Sequence, residues 1–354
     1  MANTLFIGKV YYRFDELPST NDRAAELLAK SKPPEGTVVR ADSQSAGRGQ
    51  FGSRWESAAG KNLTLSIVLY PNWLEVSAQF YLSMAVALGV RDAVLALNPT
   101  PDPSPDGRGA ATHTAEHATS PLPSGEGSGV GSHTAQSTIP ALPPSETPTD
   151  TTEHVTSPLP SGEGSGVGSH TAQSTIPASF PSENPTDTAE HATSPLPSGE
   201  GSGVGLKWPN DLYIGPRKAG GILIQNSLSG QFLQSSVVGI GLNVNQMEFD
   251  PGLPNPTSLA LHSGRSFDLD VVAGRLFECL ERRYLQLKSG QQAAIKAAYE
   301  QSLFRLGTPA VFIRTHDGSS FEGIIRGVTE TGRLRVQTET GEEFFDLKEI
   351  RFGN

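Results

Sequence analysis

One short stretch of the chain, residues 46–55, combines residue types that suit an anionic ligand. It contains three glycines, two arginines and one tryptophan, and it follows a β-like run at 36–41. Glycine lets a backbone approach a ligand closely and point its N–H groups at phosphate oxygens, while arginine adds planar cationic donors. No Gly-Lys-Ser/Thr follows, so the stretch is not a Walker loop, and by itself it is equally compatible with a solvated hairpin.

A second segment, residues 206–223, brings cations and a carboxylate together in the sequence. It begins with Leu-Lys-Trp-Pro-Asn-Asp and continues with Arg-Lys-Ala-Gly-Gly-Ile. Lysine can neutralise phosphate or carboxylate charge, and an aspartate can hold a divalent cation. Ordinary alternatives remain at this point, because Pro-Asn-Asp is also a turn sequence and Lys218 also suits a solvated turn.

Four motifs, in their order along the chain, closely resemble the signature of the biotin protein ligases. They are Ser19-Thr20-Asn21, Gly-Arg-Gly at 47–49, Lys-Trp-Pro-Asn-Asp at 207–211 with the downstream Lys218, and Gly-Ile-Gly-Leu-Asn-Val-Asn at 239–245. The resemblance covers nearly the whole chain outside one internal block. It implies a ligase that converts biotin and Mg·ATP to biotinyl-5′-AMP. The biotinyl group then passes to a lysine of a biotin carboxyl carrier protein domain.

Joining a carboxylate to an amine through an adenylate requires preorganised cations and N–H donors, because two anions must meet. The resemblance gives the catalytic roles to Arg48 and Lys218, at the biotin carboxylate and the phosphate. It places biotin against Ser19, Thr20, Asn21, Gln44, Gly47, Arg48, Lys218, Gly220 and Gly221. Considered alone, Ser19-Thr20-Asn21 is also an ordinary helix N-cap.

The resemblance also implies an ATP and adenylate site. Its residues are Gly49, Gln50, Trp55, Lys207, Trp208, Asn210, Asp211 and Asn243. Mg²⁺ would neutralise the pyrophosphate, with Asp211 as its ligand. Trp208 suits stacking on adenine and core packing equally well, and Gly239 and Gly241 also suit close strand packing alone.

One position departs from the family pattern. Many members have a second arginine where this chain has Gln50. Glutamine donates hydrogen bonds but carries no charge. We therefore expect weaker retention of the adenylate, which Arg54 could offset.

The internal block at 99–205 differs in composition from the rest of the chain. Proline, serine, threonine, glycine and glutamate dominate it, and a Ser-Pro-Leu-Pro-Ser-Gly-Glu segment occurs three times with a spacing of 37 residues. The repeat has almost no large apolar side chain to pack on a neighbour, so it does not suit a solenoid. This composition predicts a disordered insertion.

Charge and composition exclude several classes of protein. The net charge is −10 without a basic stripe, which argues against a nucleic-acid partner, and the single Cys279 excludes a disulfide framework. We recognise no signal peptide and no long apolar span, so we expect a cytoplasmic protein without a membrane partner. Only 18 residues precede Ser19. That length predicts a monofunctional ligase without a DNA-binding domain, and a homodimer is compatible with the resemblance.

Two other functions compete with this interpretation. A lipoate- or octanoate-transferring relative would share the catalytic fold, but an aliphatic acid offers less for the polar set around Ser19-Thr20-Asn21 to bind. A non-catalytic protein that binds biotin or the carrier is the second alternative. The presence of Arg48, Asp211 and Lys218 argues against it.

The periodicity predicts an α+β fold with a mixed sheet and a small C-terminal β domain. The expected domains are a catalytic domain at 1–98 and 206–304, the insertion at 99–205 and a C-terminal domain at 305–354. We expect strands at 10–14, 38–41, 62–69, 222–225, 237–244, 310–314, 321–328, 334–338 and 343–350, and helices at 21–30, 77–97, 272–287 and 291–303. The resemblance implies that the catalytic domain is similar to class II aminoacyl-tRNA synthetases and that the C-terminal domain is an SH3-like β-barrel.

Overall fold

The computed structural model describes residues 2–49, 55–97 and 203–353. Most of the repeat block, Gln50 and Arg54 lie outside these residues, so the expectations about them stay predictions. Within the described part, the chain builds two sheets, the second of which is C-terminal.

The first sheet has seven strands in the order β1-β2-β3-β7-β6-β5-β4. Strands β1 and β2 are parallel and every other neighbouring pair is antiparallel, which confirms the expected mixed sheet. Strand β3 reads Leu-Thr-Leu-Ser-Ile-Val-Leu and is buried at every position, as a central strand requires. The bounds are β1 (Tyr11–Leu17), β2 (Val38–Gln44), β3 (Leu63–Leu69), β4 (Val204–Lys207), β5 (Asp211–Ile214), β6 (Arg217–Ser229) and β7 (Phe232–Leu242).

Helices cover both faces of this sheet. Their bounds are α1 (Thr20–Lys30), α2 (Gln79–Leu97), α3 (Leu259–Ser263), α4 (Leu269–Lys288) and α5 (Gln292–Gln301). Helix α1 packs on β2, β3 and β7, with Ala24 against Val39, Val68 and Val237. Helices α2, α4 and α5 pack on one another, and together with the other side of the sheet they form the main core.

Helix α1 begins where the sequence predicts. The side chain of Ser19 accepts a hydrogen bond from the backbone N–H of Asp22, so Ser19 is the N-cap. Its capping role turns the next two side chains, Thr20 and Asn21, inward, and both are buried. The start of α1 therefore presents polar groups to the interior of the protein.

Helix α2 has apolar residues on all sides. The segment from Val76 to Leu97 is long and apolar enough to cross a membrane by length and composition alone, contrary to the expectation that no such span exists. Most of the segment is buried in the protein, against α4, α5 and the sheet. This burial explains its composition as that of a core helix.

The C-terminal sheet has five antiparallel strands in the order β11-β10-β9-β8-β12. Their bounds are β8 (Pro309–Arg314), β9 (Ser320–Val328), β10 (Leu334–Thr338), β11 (Gly341–Phe345) and β12 (Ile350–Phe352). The strand expected at 343–350 is wrong in its bounds, because a turn at 346–349 separates β11 from β12. The sequence placed Val204 and Gly205 in the insertion, but both belong to strand β4. Val204 and Leu206 are buried and alternate with more exposed neighbours, as in a strand with one buried face.

Candidate functional site

A single pocket gathers most of the residues that the motifs contributed. It lies on the α1 side of the first sheet and has a cavity volume of about 130 Å³. The predicted residues that line it are Ser19, Thr20, Asn21, Gln44, Arg48, Gly49, Trp55, Asn210, Asp211, Lys218 and Gly221. They come from the start of α1, the end of β2, the loop after it, and strands β5 and β6, so the sheet brings distant parts of the chain together.

One end of the pocket is polar and buried. Ser19, Thr20 and Asn21 are each less than 5% exposed. The Oε1 atom of Gln44 accepts a hydrogen bond of 2.7 Å from the backbone N–H of Thr20. A buried polar atom that has no hydrogen-bond partner raises the free energy of the protein. This end of the pocket therefore favours a ligand whose hydrogen-bonding groups match its own.

Asn21 is held in place by neighbours on three strands. Its Nδ2 atom donates to Oε1 of Gln225 at 3.1 Å, and its Oδ1 atom lies 2.6 Å from the hydroxyl of Ser66. Gly239 on β7 leaves room for this amide, since a Cβ there would lie 2.9 Å from Cγ of Asn21. The lack of a side chain at Gly239 is therefore required for the packing of Asn21, which lines the pocket.

A second part of the lining, called the charged end, is formed by Arg48, Asp211 and Lys218. Nζ of Lys218 lies 2.8 Å from Oδ2 of Asp211, and Nη1 of Arg48 lies 3.1 Å from Oδ1 of Asp22. Asn210 donates to the carbonyl of Ile222, which holds it beside Asp211. The cations are partly exposed, so an incoming phosphate or carboxylate can replace their present partners without first unfolding the site.

Trp55 forms part of the wall. Its indole covers Gly241, where a Cβ would collide with ring carbons, and its buried Nε1 atom has no hydrogen-bond partner among the residues that the structure describes. The backbone N–H of Trp55 donates to the carbonyl of Gly47 at 3.0 Å. A Cβ at position 47 would collide with the carbonyl of Trp55, so Gly47 supports the loop from outside the pocket lining.

Two predicted nucleotide residues point away from the pocket. Lys207 lies over the rings of Tyr213 and Phe352, and its Nζ donates to the Tyr213 hydroxyl at 3.2 Å. Burial lowers the pKa of the Lys207 ammonium. The Nε1 atom of Trp208 donates to the carbonyl of Gly332 at 2.9 Å. The indole of Trp208 is buried and packs in the core, which is one of the two uses expected for it, and Lys207 contacts Phe352 of the C-terminal sheet. The nucleotide-binding roles of both residues stay predictions.

Two more of the expected residues lie behind the lining. Gly220 packs against the neighbouring strand, since a Cβ there would lie 2.9 Å from the carbonyl oxygen of Gly241. Asn243 donates from Nδ2 to the carbonyl of Thr257 at 3.0 Å, and its buried Oδ1 has no hydrogen-bond partner in the described part of the chain. Neither lines the pocket among the described residues.

Sequence reasoning missed several residues of the site. They are Asp22, Thr64, Leu65, Ser66, Ile222, Leu223, Gln225 and Ile240. One signal was available, because Thr64 and Ser66 alternate in the otherwise apolar strand β3 and must share one face. Polar residues on one face of a fully buried strand indicate a polar partner there.

The carboxylates of the described residues form no cluster that could hold a metal by itself. No group of three or more His, Cys, Asp or Glu side chains comes together in the part of the chain that the structure describes. Mg²⁺ is commonly held by one or two carboxylates together with substrate phosphates. The single carboxylate of Asp211 fits that mode and does not suit a resident metal.

Comparison with protein families gives two matches. Residues 13–119 and 174–243, together half of the chain, match the model of the Biotin/lipoate A/B protein ligase family. Residues 310–352 match the Biotin protein ligase C terminal domain.

Individual relatives agree with these matches. A biotin–[acetyl-CoA-carboxylase] ligase of Paracoccus denitrificans is 31% identical over 42% of this chain and 62% of its own length. A bifunctional ligase/repressor BirA of Bacillus spizizenii is 32% identical over 42% of this chain and 46% of its own length. The matched segments thus span about half to three fifths of these curated relatives.

Among solved structures, the biotin protein ligase of Aquifex aeolicus in complex with biotin and ATP has a similar fold. Its TM-score is 0.58 at 19% identity, and the match covers 98% of this chain and 99% of that one. At this identity the likeness concerns the fold alone.

Proposed function

The chain belongs to the biotin/lipoate A/B protein ligase family, and we propose that it is a biotin protein ligase. It would activate biotin with Mg·ATP to biotinyl-5′-AMP and then transfer the biotinyl group to a lysine of a biotin carboxyl carrier protein domain. The observation that carries this proposal is the pocket, whose lining combines buried polar residues, apolar residues of the sheet and the cations Arg48 and Lys218.

Biotin has three parts that this arrangement would match. The polar ring would lie against Ser19, Thr20, Asn21 and Gln44, where hydrogen-bonding groups are buried. The apolar part would contact Leu65, Ile222 and Ile240. The carboxylate would reach the charged end, where Lys218 and Arg48 are available to it.

The activation step joins two anions. A carboxylate oxygen of biotin attacks the α-phosphorus of ATP, the bond to the β-phosphate bridge breaks, and pyrophosphate leaves. Lys218 and Arg48 would neutralise the charge that gathers around the α-phosphate. Mg²⁺ bound with ATP would neutralise the pyrophosphate, and Asp211 is the residue that would hold it.

The transfer step releases AMP. The neutral amine of the acceptor lysine attacks the acyl carbon of the adenylate, the acyl carbon–oxygen bond breaks, and an amide forms while a proton leaves the nitrogen. A closed pocket protects the adenylate from water until the acceptor arrives. Because Gln50 has no charge, retention of the adenylate would depend on Arg48 and the backbone around Gly49.

Finer aspects of the proposal concern architecture and setting. The family resemblance supports a catalytic domain similar to class II aminoacyl-tRNA synthetases, whose two parts (1–98 and 206–304) are separated by the insertion at 99–205. It also supports an SH3-like barrel at 305–354. A cytoplasmic location is supported by the need for ATP and a carboxylase carrier. The absence of nucleic-acid and membrane partners, the monofunctional character and a homodimer stay predictions.

The test of the proposal is acceptor biotinylation. The full chain is incubated with biotin, Mg·ATP and a biotin carboxyl carrier domain, and the carrier is analysed by mass spectrometry. We expect one added biotinyl group, and none on a matched carrier whose acceptor lysine is replaced by arginine. A carrier that gains no biotinyl group contradicts the proposal, and a lipoyl group gained in a parallel incubation with lipoate in place of biotin favours the lipoate-transferring alternative.

A further inference from the structure

The hydroxyl of Ser66 lies directly behind the polar end of the pocket. Ser66 is fully buried on β3, and its Oγ atom is 2.8 Å from Oγ1 of Thr20 and 2.6 Å from Oδ1 of Asn21. A serine hydroxyl has one proton and can donate it to only one of these oxygens. The destination of that proton decides which hydrogen-bonding group Thr20 presents to a ligand.

The orientation of the Asn21 side-chain amide determines which oxygen receives the Ser66 proton. Its Nδ2 atom lies 3.1 Å from Oε1 of Gln225 and 3.5 Å from the carbonyl oxygen of Leu223. A backbone carbonyl only accepts, so the reversed amide would set two oxygens against each other. Oδ1 of Asn21 therefore faces Ser66, and because Oδ1 also only accepts, Ser66 must donate its proton to Asn21.

The direction of the Ser66 proton also determines the direction in which the Thr20 hydroxyl donates. With the Ser66 proton directed at Asn21, the 2.8 Å contact between the two hydroxyls requires Thr20 to donate to Ser66. The remaining lone pairs of Thr20 Oγ1 make it an acceptor toward the pocket. Beside it, Oε1 of Gln44 already accepts from the Thr20 backbone N–H, which leaves Nε2 of Gln44 as a donor. An acceptor and a donor thus stand next to each other.

We propose that Ser66 is a positioning residue that determines specificity, because it holds Thr20 as an acceptor and so selects a ligand that presents an N–H there. This inference rests on the proposed function, since it assigns the polar ring of biotin to this end of the pocket. A cyclic urea has N–H groups beside a carbonyl and matches the pattern. A ring with oxygen in place of that N–H would set two acceptors against each other, and an aliphatic acid has neither group.

The experiment measures the dissociation constants of biotin and of its two analogues in which one ureido N–H is replaced by ring oxygen. We expect the unmodified protein to bind one of these analogues roughly 10- to 100-fold more weakly than biotin, because an acceptor is left unpaired. In Ser66→Ala the Thr20 hydroxyl can rotate and donate to the ring oxygen. The ratio of the dissociation constant of that analogue to the dissociation constant of biotin should then be about threefold or more smaller than in the unmodified protein.

The matched control is Ser236→Ala on the adjacent strand β7. Ser236 is also fully buried and its hydroxyl donates to Oδ1 of an asparagine, Asn226, at 2.8 Å, but among the described residues it is not part of the pocket lining. We expect the ratio to be unchanged in this variant. A general effect of losing a buried hydroxyl would alter both variants alike, which would overturn the assignment.

The remaining outcomes separate the inference from the proposed function. An unmodified protein that does not bind biotin contradicts the proposed function itself. Biotin binding with the same ratio in Ser66→Ala as in the unmodified protein contradicts only the role of Ser66. If Ser66→Ala does not fold, the same ratio of dissociation constants is measured in Ser66→Cys. The thiol is a weaker donor, so the ratio should again be smaller than in the unmodified protein.

Discussion

Replacement of Gly239 by alanine tests how closely the sheet is fitted to the pocket. The new Cβ would collide with Oδ1 of Asn21 and lie 2.9 Å from its Cγ and 3.1 Å from its Nδ2. Asn21 is buried and bonded to Ser66 and Gln225, so it cannot move aside without losing both hydrogen bonds. Two such bonds at about 1 kcal/mol each, with about 1–3 kcal/mol of overpacking, lower the free energy of unfolding by about 3–5 kcal/mol.

Two measurements check this expectation. Denaturant unfolding should show the loss of stability, and calorimetric titration should show weaker biotin binding, because Asn21 lines the pocket. Gly205→Ala is the matched control, since it lies in β4 of the same sheet and its nearest neighbour to an added Cβ is 3.6 Å away. Unchanged stability and affinity in Gly239→Ala would refute the reasoning that this glycine exists to accommodate Asn21.

Three further substitutions address a cation of the pocket and two buried hydrogen-bonded contacts outside it. Lys218→Gln should lower the rate of adenylate formation by roughly 10²- to 10³-fold with a smaller effect on biotin binding, while Arg217→Gln on the exposed side of β6 should leave the rate near that of the unmodified protein. Trp208→Phe should lower the free energy of unfolding by about 1–3 kcal/mol, because the buried carbonyl of Gly332 loses its donor, and a denaturant titration would show otherwise if the contact is dispensable. Glu281→Gln should cost about 2 kcal/mol in the same assay, because this carboxylate accepts three backbone N–H groups of the N-terminal segment, and stability equal to that of the unmodified protein would contradict the role.

The sequence predicted much of the site because its chemistry is carried by short motifs. Capping by Ser19 and the turn at Pro-Asn-Asp follow from local rules, and the structure has both. The mixed sheet follows from the order of strands and helices and is confirmed. What these local patterns could not give is which motif residues face inward.

Lys207 and Trp208 show why. Lys207 ends β4 and Trp208 lies in the turn that follows, and their contacts with Phe352 and Gly332 depend on the position of the C-terminal sheet. Ser66 is the opposite case, because it lies in a strand whose sequence indicated only a structural role. Its importance appears only when β3 and α1 meet. Long-range contacts of this kind leave little trace in a single sequence.

The most direct test of the central proposal is ligand-dependent exchange between ATP and pyrophosphate. The full chain is assayed with biotin, lipoate, octanoate and no acid under identical conditions. Exchange that depends on biotin, and on neither other acid, is the predicted result, because only biotin carries the ring that the polar end of the pocket matches. Exchange with lipoate or octanoate but not biotin, or none with any acid from a folded protein that still binds biotin, would contradict the account.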